Sequence, residues 1–501
     1  MNTDTARYRP LSTFPIIAFV SGLGVSWAIS SLLVYLANQR LYQTITSLAA
    51  QGHVTVPSGP PLASLTCLSS ALAGSCFFVV TAGLLVTILA LTAAIVTRTL
   101  VKTKTGFWTS QAIIWLCITV SLNWDQISII TLPFTLIIPG CTLTVLVWTT
   151  RKASLSEHVG LRSRPLVIFL ITLIVAGTGI GITARKSIFL NTRDYVFFSS
   201  RAGTALTFLY YTYSPYAADV ISPLISKQIK PCCMHPELAG NRNLVQTLFR
   251  YGWLVSSCAG TRDRDLSLAP AGNGQISLSL GEKTVATMPL NEFLKTPLPF
   301  LEQVSRASDT LGPLRFLCLA GLIVGIPAAI IALFFFPLHC FFENFVSETV
   351  SGLLALTITT LTIVSIVVYL QPPMPVSNQD SLGKLLASDN VQDRINALRV
   401  LPKVSRRLLT LDDTVKKLAA GSVPERFWLA SALGRAQDPA FVSQLTDMTR
   451  DPSINVQYSA LRALSLLPCN LVLKSLYQDV IKNNPSWYVQ QNAYNAYRIC
   501  P

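Results

Sequence analysis

Seven stretches of this chain are apolar enough to leave water: residues 13–37, 65–96, 107–122, 127–148, 165–183, 313–336 and 349–370. They constrain the fold more than any other feature. A segment in hydrocarbon has no water for its amides, so its backbone must bond to itself. About 20 apolar residues of helix cross a bilayer, and runs of this kind read as transmembrane helices. The run at 65–96 exceeds that need and is expected to tilt or emerge. Only 13% of the chain is charged, against roughly 25% in soluble proteins. The deficit lies before residue 378; beyond it the composition is ordinary.

The first run follows Arg7 and Arg9. It is too long for a signal-peptide core and reads as an uncleaved span. Net charge is +15, of which residues 378–501 carry +5 from 15 Lys and Arg against 10 Asp and Glu. The remaining +10 is topological, because basic residues gather on the cytoplasmic side. No basic helix or aromatic-interleaved basic patch points to nucleic acid.

Residues 203–225 are ambiguous. They carry Tyr210, Tyr211 and Tyr213, then Pro215, Tyr216, Asp219 and Pro223. Clustered tyrosines favour the membrane interface, yet the segment could be a further crossing. Seven spans would separate the two termini; eight would return them to one side. Basic residues at 98–104 and 151–164 mark two inside loops under either count. Lys227, Lys230, Arg306 and Arg315 lean toward eight crossings, or seven plus a membrane-embedded segment, with a cytoplasmic tail, while Arg185, Lys186, Arg193 and Arg201 fall outside in both.

The expected fold class is an all-α membrane bundle of seven to eight transmembrane helices, with a small α+β soluble insert and a C-terminal α-solenoid. Residues 1–225 hold five spans and the ambiguous segment. Residues 226–308 form the insert, with a helix over 243–256, strands over 275–280 and 284–288 about a turn at 281–283, and a helix over 291–304. Residues 309–371 hold the last two spans. Pro372 and Pro373 break the last helix, since proline lacks the amide that helix needs. A linker over 372–379 then leads to 380–501.

That last region keeps a beat. Val391, Val423, Val456 and Val489 are spaced 32, 33 and 33 residues apart. Four residues after each come Ile395, Phe427, Ala460 and Ala493; seven after come Leu398, Ala430, Ala463 and Ala496. These positions share one helix face. A period in the low thirties marks an array of helical repeats whose apolar faces only their neighbours cover. The phrases Val456-Gln457-Tyr458-Ser459-Ala460-Leu461-Arg462-Ala463 and Val489-Gln490-Gln491-Asn492-Ala493-Tyr494-Asn495-Ala496 carry the resemblance, with Ala430 to Gly434 in the unit before. The region resembles the HEAT-repeat family in its short bacterial form, with about four repeats. The family's Val-Arg becomes Val456-Gln457 and Val489-Gln490, which weakens its charged ladder. The resemblance implies protein binding and no catalytic residue. Tyr488, Tyr494 and Tyr497 near the C-terminal end either close the core or offer a partner-binding edge.

Few constellations suggest chemistry. Cys232, Cys233 and His235, with Cys258 in reach, could hold a soft metal. Adjacent cysteines ligate one ion poorly, however, so a disulfide with Cys258 or no special role competes. The cysteines inside apolar runs read as small apolar residues. No CxxCH or P-loop motif is present, and no cofactor is expected. Gly177 and Gly181, like Gly321 and Gly325, read as helix-packing pairs where missing side chains let helices touch. Asp219 is a candidate ion or proton site. The expectation is a non-enzymatic multi-pass scaffold, assembly factor or accessory subunit of a bacterial inner membrane, docking a protein partner through a cytoplasmic tail. The alternative is a transporter or channel component with a regulatory solenoid.

Overall fold

The computed structural model describes residues 13–124, 127–154, 169, 177, 190–256, 266–370, 379–401 and 412–500. Two compact units interleave along the chain. One comprises Met1–Val34, Ala71–Ala184 and Thr310–Tyr369; the other comprises Tyr35–Ser70, Arg185–Asp309 and Leu370–Pro501.

The chain has the composition of a membrane protein. Among the described residues, six helices are long and apolar enough to cross a bilayer: Ile16–Ala50, Leu68–Leu100, Lys104–Leu122, Pro133–Thr150, Gly312–Glu343 and Glu348–Tyr369. The span expected at 165–183 falls outside the described residues but for Phe169 and Gly177. Within the first unit the side chains sort inside out. Ser26, Ser30, Thr81, Thr87 and Thr142 are buried, whereas Leu333, Ile323 and Leu361 face outward. Helices in lipid gain nothing by hiding leucine, so small and hydroxyl residues take the contacts. One contact joins two π-turns, Val79–Gly83 and Gly321–Gly325. A side chain at Gly321 would overlap the Thr81 backbone, and one at Gly325 would come within 3.4 Å of Leu85 N. Among the described residues, none lies where a side chain at Gly177 would be; Gly181 is outside the described residues.

In the second unit, the insert is a five-stranded sheet in the order β2-β1-β3-β4-β5. The strands are β1 (Lys230–Met234), β2 (Trp253–Ser256), β3 (Leu266–Pro270), β4 (Gln275–Leu280) and β5 (Lys283–Pro289). β1 runs parallel to both neighbours, and β3, β4 and β5 form an antiparallel meander. Helices Arg242–Arg250, Leu290–Lys295 and Pro297–Ser308 accompany it. Leu244, Leu248, Phe293, Leu301 and Val304 from those helices share a core with Trp253, Leu266 and Leu278. The helix expected over 243–256 stops at Arg250, because Gly252 adopts a φ of +80° and turns the chain into β2. β1 and β3 were not expected.

Among the described residues, the C-terminal region forms four helix pairs. Each marker helix follows a partner: Gln379–Ala387 with Val391–Val400, Asp412–Ala419 with Val423–Ala436, Val442–Met448 with Ile454–Leu464, and Leu471–Asn483 with Trp487–Ile499. Successive marker helices are neighbours. Ala430, Ala460, Ala463, Ala493 and Ala496 are buried between them, and Gly434 lies directly on Ala463. Val456 and Val489 are fully buried, whereas Val391, in the first pair, is 40% exposed.

The ambiguous segment is a helix, Arg201–Ile221. Among the described residues it is not one of the six helices apolar enough to cross a bilayer. Its Tyr211 and Tyr216 are buried within the second unit, and Asp219 pairs with Lys227 at 3.2 Å. Residues that argued weakly for an interface instead pack against the helical stack.

Candidate functional site

A ladder of hydrogen bonds runs along one edge of the stack. In each unit, one side chain in the first turn of the marker helix bonds the carbonyl of the turn before it and reaches the next unit. Arg394 donates to Ser388 O at 2.5 Å and to Glu425 at 2.6 Å. Arg426 donates to Gly421 O at 2.6 Å and to Asp451 at 2.7 Å. Gln457 donates to Asp451 O at 2.6 Å and accepts from Asn484 at 2.9 Å. Gln490 donates to Asn484 O at 2.7 Å and accepts the backbone N–H of Ser58 at 2.9 Å. The first two rungs thus use a guanidinium and the last two an amide at the same place in the helix. Burial opposes ionisation of Glu425, but the bonds from Arg394 and Ser422 hold its carboxyl below the usual range.

At the fourth pair the bonding partner is the loop after the first long helix. Ser58 Oγ donates to Ile481 O at 2.5 Å, and Gln490 Nε2 returns a bond to Ser58 O at 3.1 Å. In the same loop, His53 meets Val255 O at 2.7 Å. One short loop therefore touches both the insert and the stack.

A second element lies across the marker helices. The turn Arg193–Phe197 and helix Arg201–Ile221 carry an aromatic seam. Phe198 meets Phe427 at 5.7 Å, Tyr211 meets Tyr488 at 4.5 Å and Tyr458 at 5.8 Å, and Tyr216 meets Trp487 at 5.1 Å, ring centre to ring centre. Burial raises the Tyr458 and Tyr488 hydroxyls above their usual range. Beside the seam, Asp194 is 1% exposed. Its carboxylate takes bonds from Arg193 at 2.8 Å, from Arg399 at 2.6 Å and from the Trp428 indole at 2.6 Å. The Arg193 guanidinium also covers the Phe427 ring at 4.3 Å. Sequence reasoning missed Asp194. Its only trace was Arg193, a basic residue that suited neither topology and is here occupied by an ion pair.

The last helix meets the insert. Phe249 packs edge-on against Tyr497 at 5.9 Å and Tyr494 at 6.5 Å. Arg498 lies against Gly252, where an added side chain would collide with it at 2.5 Å. Buried Lys230 beside them donates to Ile225 O at 2.8 Å and lies 5.5 Å from the Trp253 ring. Burial, with the Arg498 charge adding to it, pulls its ammonium down to about 7. Tyr488, Tyr494 and Tyr497, the expected edge for an outside partner, are thus engaged by the chain itself.

The cysteine cluster disperses. Cys232 is buried in the insert core, and Cys233, pointing to the other face of β1 as strand alternation requires, is disulfide-bonded. His235 is exposed, and Cys258 lies outside the described residues. Among the described residues, no three His, Cys, Asp or Glu side chains are grouped to hold a metal ion. A second disulfide, Cys469–Cys500, joins the two helices of the last pair with its Cα atoms 5.5 Å apart, a normal separation for such a bridge.

No protein family, curated protein or solved structure matches this chain.

Proposed function

We propose that the chain is a multi-pass membrane scaffold or accessory subunit, not a catalyst, whose HEAT-like array gathers soluble loops into one module and offers that module to a protein partner on the extracytoplasmic side of a bacterial inner membrane. The observation that carries the reading is the bonding of Ser58 to Gln490. It ties the first soluble loop to the last repeat, so the array already works as a binding surface within its own chain.

The same contact bears on the side of the membrane. Residues in contact outside the bilayer lie on one side of it, so an even number of crossings separates Ser58 from Gln490. Five of the six apolar helices lie between them. One more crossing is needed, and we assign it to the apolar sequence at 165–183, which falls outside the described residues but for Phe169 and Gly177. Every segment of the second unit then follows an odd number of crossings, opposite the basic loops at 98–104 and 151–164. Basic loops stay cytoplasmic, which puts the module outside. Disulfides persist in oxidising compartments; Cys469–Cys500 and the bridge of Cys233 belong to this unit. The cytoplasmic tail favoured by the loop charges alone gives way to this reading. Fusions at the C-terminus test it. Alkaline phosphatase should be active and green fluorescent protein dark; the reverse pattern overturns the topology.

The surface left for a partner surrounds the Cys469–Cys500 bridge. Leu471 is 84% exposed and Val472 73%, with Ile499 and Leu466 also exposed. Leu471→Arg with Val472→Glu should release the proteins that co-purify with the full chain from native membranes. Retention of the same set by the double variant overturns the docking role.

A further inference from the structure

A cavity of about 560 Å³ opens between helix Arg201–Ile221 and the starts of the marker helices. Its two walls differ. One is aromatic, with Phe197, Phe208 and Tyr211. The other is built from the repeated phrase itself, Pro452-Ser453-Ile454-Asn455 in one unit and Pro485-Ser486 in the next. Two helices of 11 and 13 residues, Ile454–Leu464 and Trp487–Ile499, therefore begin at the same wall.

A helix start presents amide N–H groups without intrahelical partners and the positive end of its dipole. A serine at the N-cap ordinarily accepts from one of those amides. Neither Ser453 nor Ser486 does so. Ser486 Oγ is buried without a partner, and so is Asn455 Oδ1; the two residues are 8% and 5% exposed, and both line the cavity. The other polar groups of that wall are occupied: Arg426 by Asp451, and Gln457 by Asp451 O and Asn484. The Arg426 and Asp451 charges cancel. What remains is donor capacity: the first-turn amides of the two helices apart from Val456 N–H, which bonds Ser453 O at 3.0 Å, a serine hydroxyl, and the side chain of Asn455, whose unpartnered Oδ1 gives way to a donor when its oxygen and nitrogen exchange places by rotation. Anions settle at such helix starts. Opposite lies a ring-lined wall that suits an alkyl chain, and the volume is that of an ordinary ligand pocket.

We propose that this cavity binds a single-chain carboxylate amphiphile, a fatty acid, with its carboxylate on Ser486, Asn455 and the two helix starts and its chain along Phe197, Phe208 and Tyr211. The site is independent of which side of the membrane the module faces. A carboxylate satisfies the unmatched donors; an alcohol of the same chain length lacks the charge that the helix starts favour.

The test is equilibrium binding of radiolabelled lauric acid to the full chain in phosphatidylcholine nanodiscs, with empty nanodiscs as the partition control and dodecanol as the uncharged probe. Expected is saturable one-site binding of laurate, at least tenfold tighter than dodecanol. Ser486→Ala with Asn455→Ala should weaken laurate by about tenfold to a hundredfold, the effect of losing hydrogen bonds to a charged group, and leave dodecanol unchanged. Thr207→Trp, which fills the cavity from the helix side, should abolish both. No saturable binding above empty nanodiscs overturns the proposal, as does equal affinity for the two probes or indifference to the variants. Should a variant misfold, hydrogen exchange of the unmodified chain decides. Laurate should protect residues 204–212, 453–457 and 484–488, and lack of protection there is equally fatal.

Discussion

Gln490 and Ser58, 432 residues apart, exchange two backbone-to-side-chain hydrogen bonds: the Ser58 N–H donates to Gln490 Oε1 at 2.9 Å, and Gln490 Nε2 donates to Ser58 O at 3.1 Å. Gln457 makes the corresponding bonds one unit earlier, with Asn484 where Gln490 has Ser58. The loop therefore meets the fourth helix pair as Asn484 of that pair meets the third. Turn carbonyls buried at such a contact need a partner, and the Gln490 amide supplies it to Asn484 O and Ser58 O.

Replacing Gln490 by Ala should detach this cap. The residue is fully buried, so truncation strands Asn484 O and both backbone groups of Ser58. Each buried polar group left without a partner costs about 1–3 kcal/mol. Hydrogen exchange at residues 53–66 should speed up by at least tenfold while the insert sheet keeps its protection. Unchanged exchange would mean that the loop is held elsewhere.

Asp194→Asn tests the second attachment. The carboxylate neutralises Arg193 and Arg399 while both are more than three-quarters buried. Removing one partner from such a group costs about 3–5 kcal/mol, because the guanidiniums stay behind uncompensated. The variant should unfold at lower temperature and release Arg201–Ile221 to protease first. Adding Arg399→Met removes one stranded charge and should recover part of the loss. If the double variant is as unstable as the sum of the singles, the two residues do not interact.

Much of this architecture was readable because it rests on local pattern. Apolar runs marked the spans, and the valines with their i+4 and i+7 companions marked the helix faces that pack. The strands at 275–280 and 284–288 followed from alternation and a Gly281 turn. What escaped was long-range pairing. β1 reads Lys-Pro-Cys-Cys-Met, which has no alternating pattern, because a strand between two parallel neighbours is buried on both faces. Nothing near Ser58 in sequence foretells Gln490. Tyr211 and Tyr216 gave the right composition for a half-wet surface, but the partners that bury them, Tyr458, Tyr488 and Trp487, are more than 240 residues away.

Lys230 gives the junction of insert and stack a pH dependence. Its folded value, about 7, is depressed from the ordinary 10.5 by burial and then by Arg498; around it lie Arg498, Trp253, the Ile225 carbonyl and Gly252. Between about pH 7 and 10.5 the unfolded chain holds a proton that the folded chain lacks, so stability rises with pH across that window. Below pH 7 both states are protonated and the full penalty of the buried charge applies. Lys230→Met should remove the slope and stabilise the module most at pH 6. Thermal unfolding of the two proteins from pH 6 to 10 decides it, and parallel curves would refute the assignment.

The Cys469–Cys500 bridge closes a loop with a sequence separation of 31 residues. Restricting an unfolded chain by a loop of that size is worth about 3–4 kcal/mol in the chain-entropy account. The bridge ties the end of the marker helix that bears Tyr494, Tyr497 and Arg498 to the start of its partner helix, so it braces the contact with Phe249. Cys469→Ser should therefore loosen residues 471–500 and uncover Phe249 and Gly252, which the last helix packs against. The readout is hydrogen exchange of residues 250–256 and 487–499 with and without reductant. Reduced wild type should match Cys469→Ser, and reductant should do little more to the variant at these positions. If reduction leaves the wild-type pattern unchanged, the last repeat is held by packing alone, and the bridge contributes nothing to the junction.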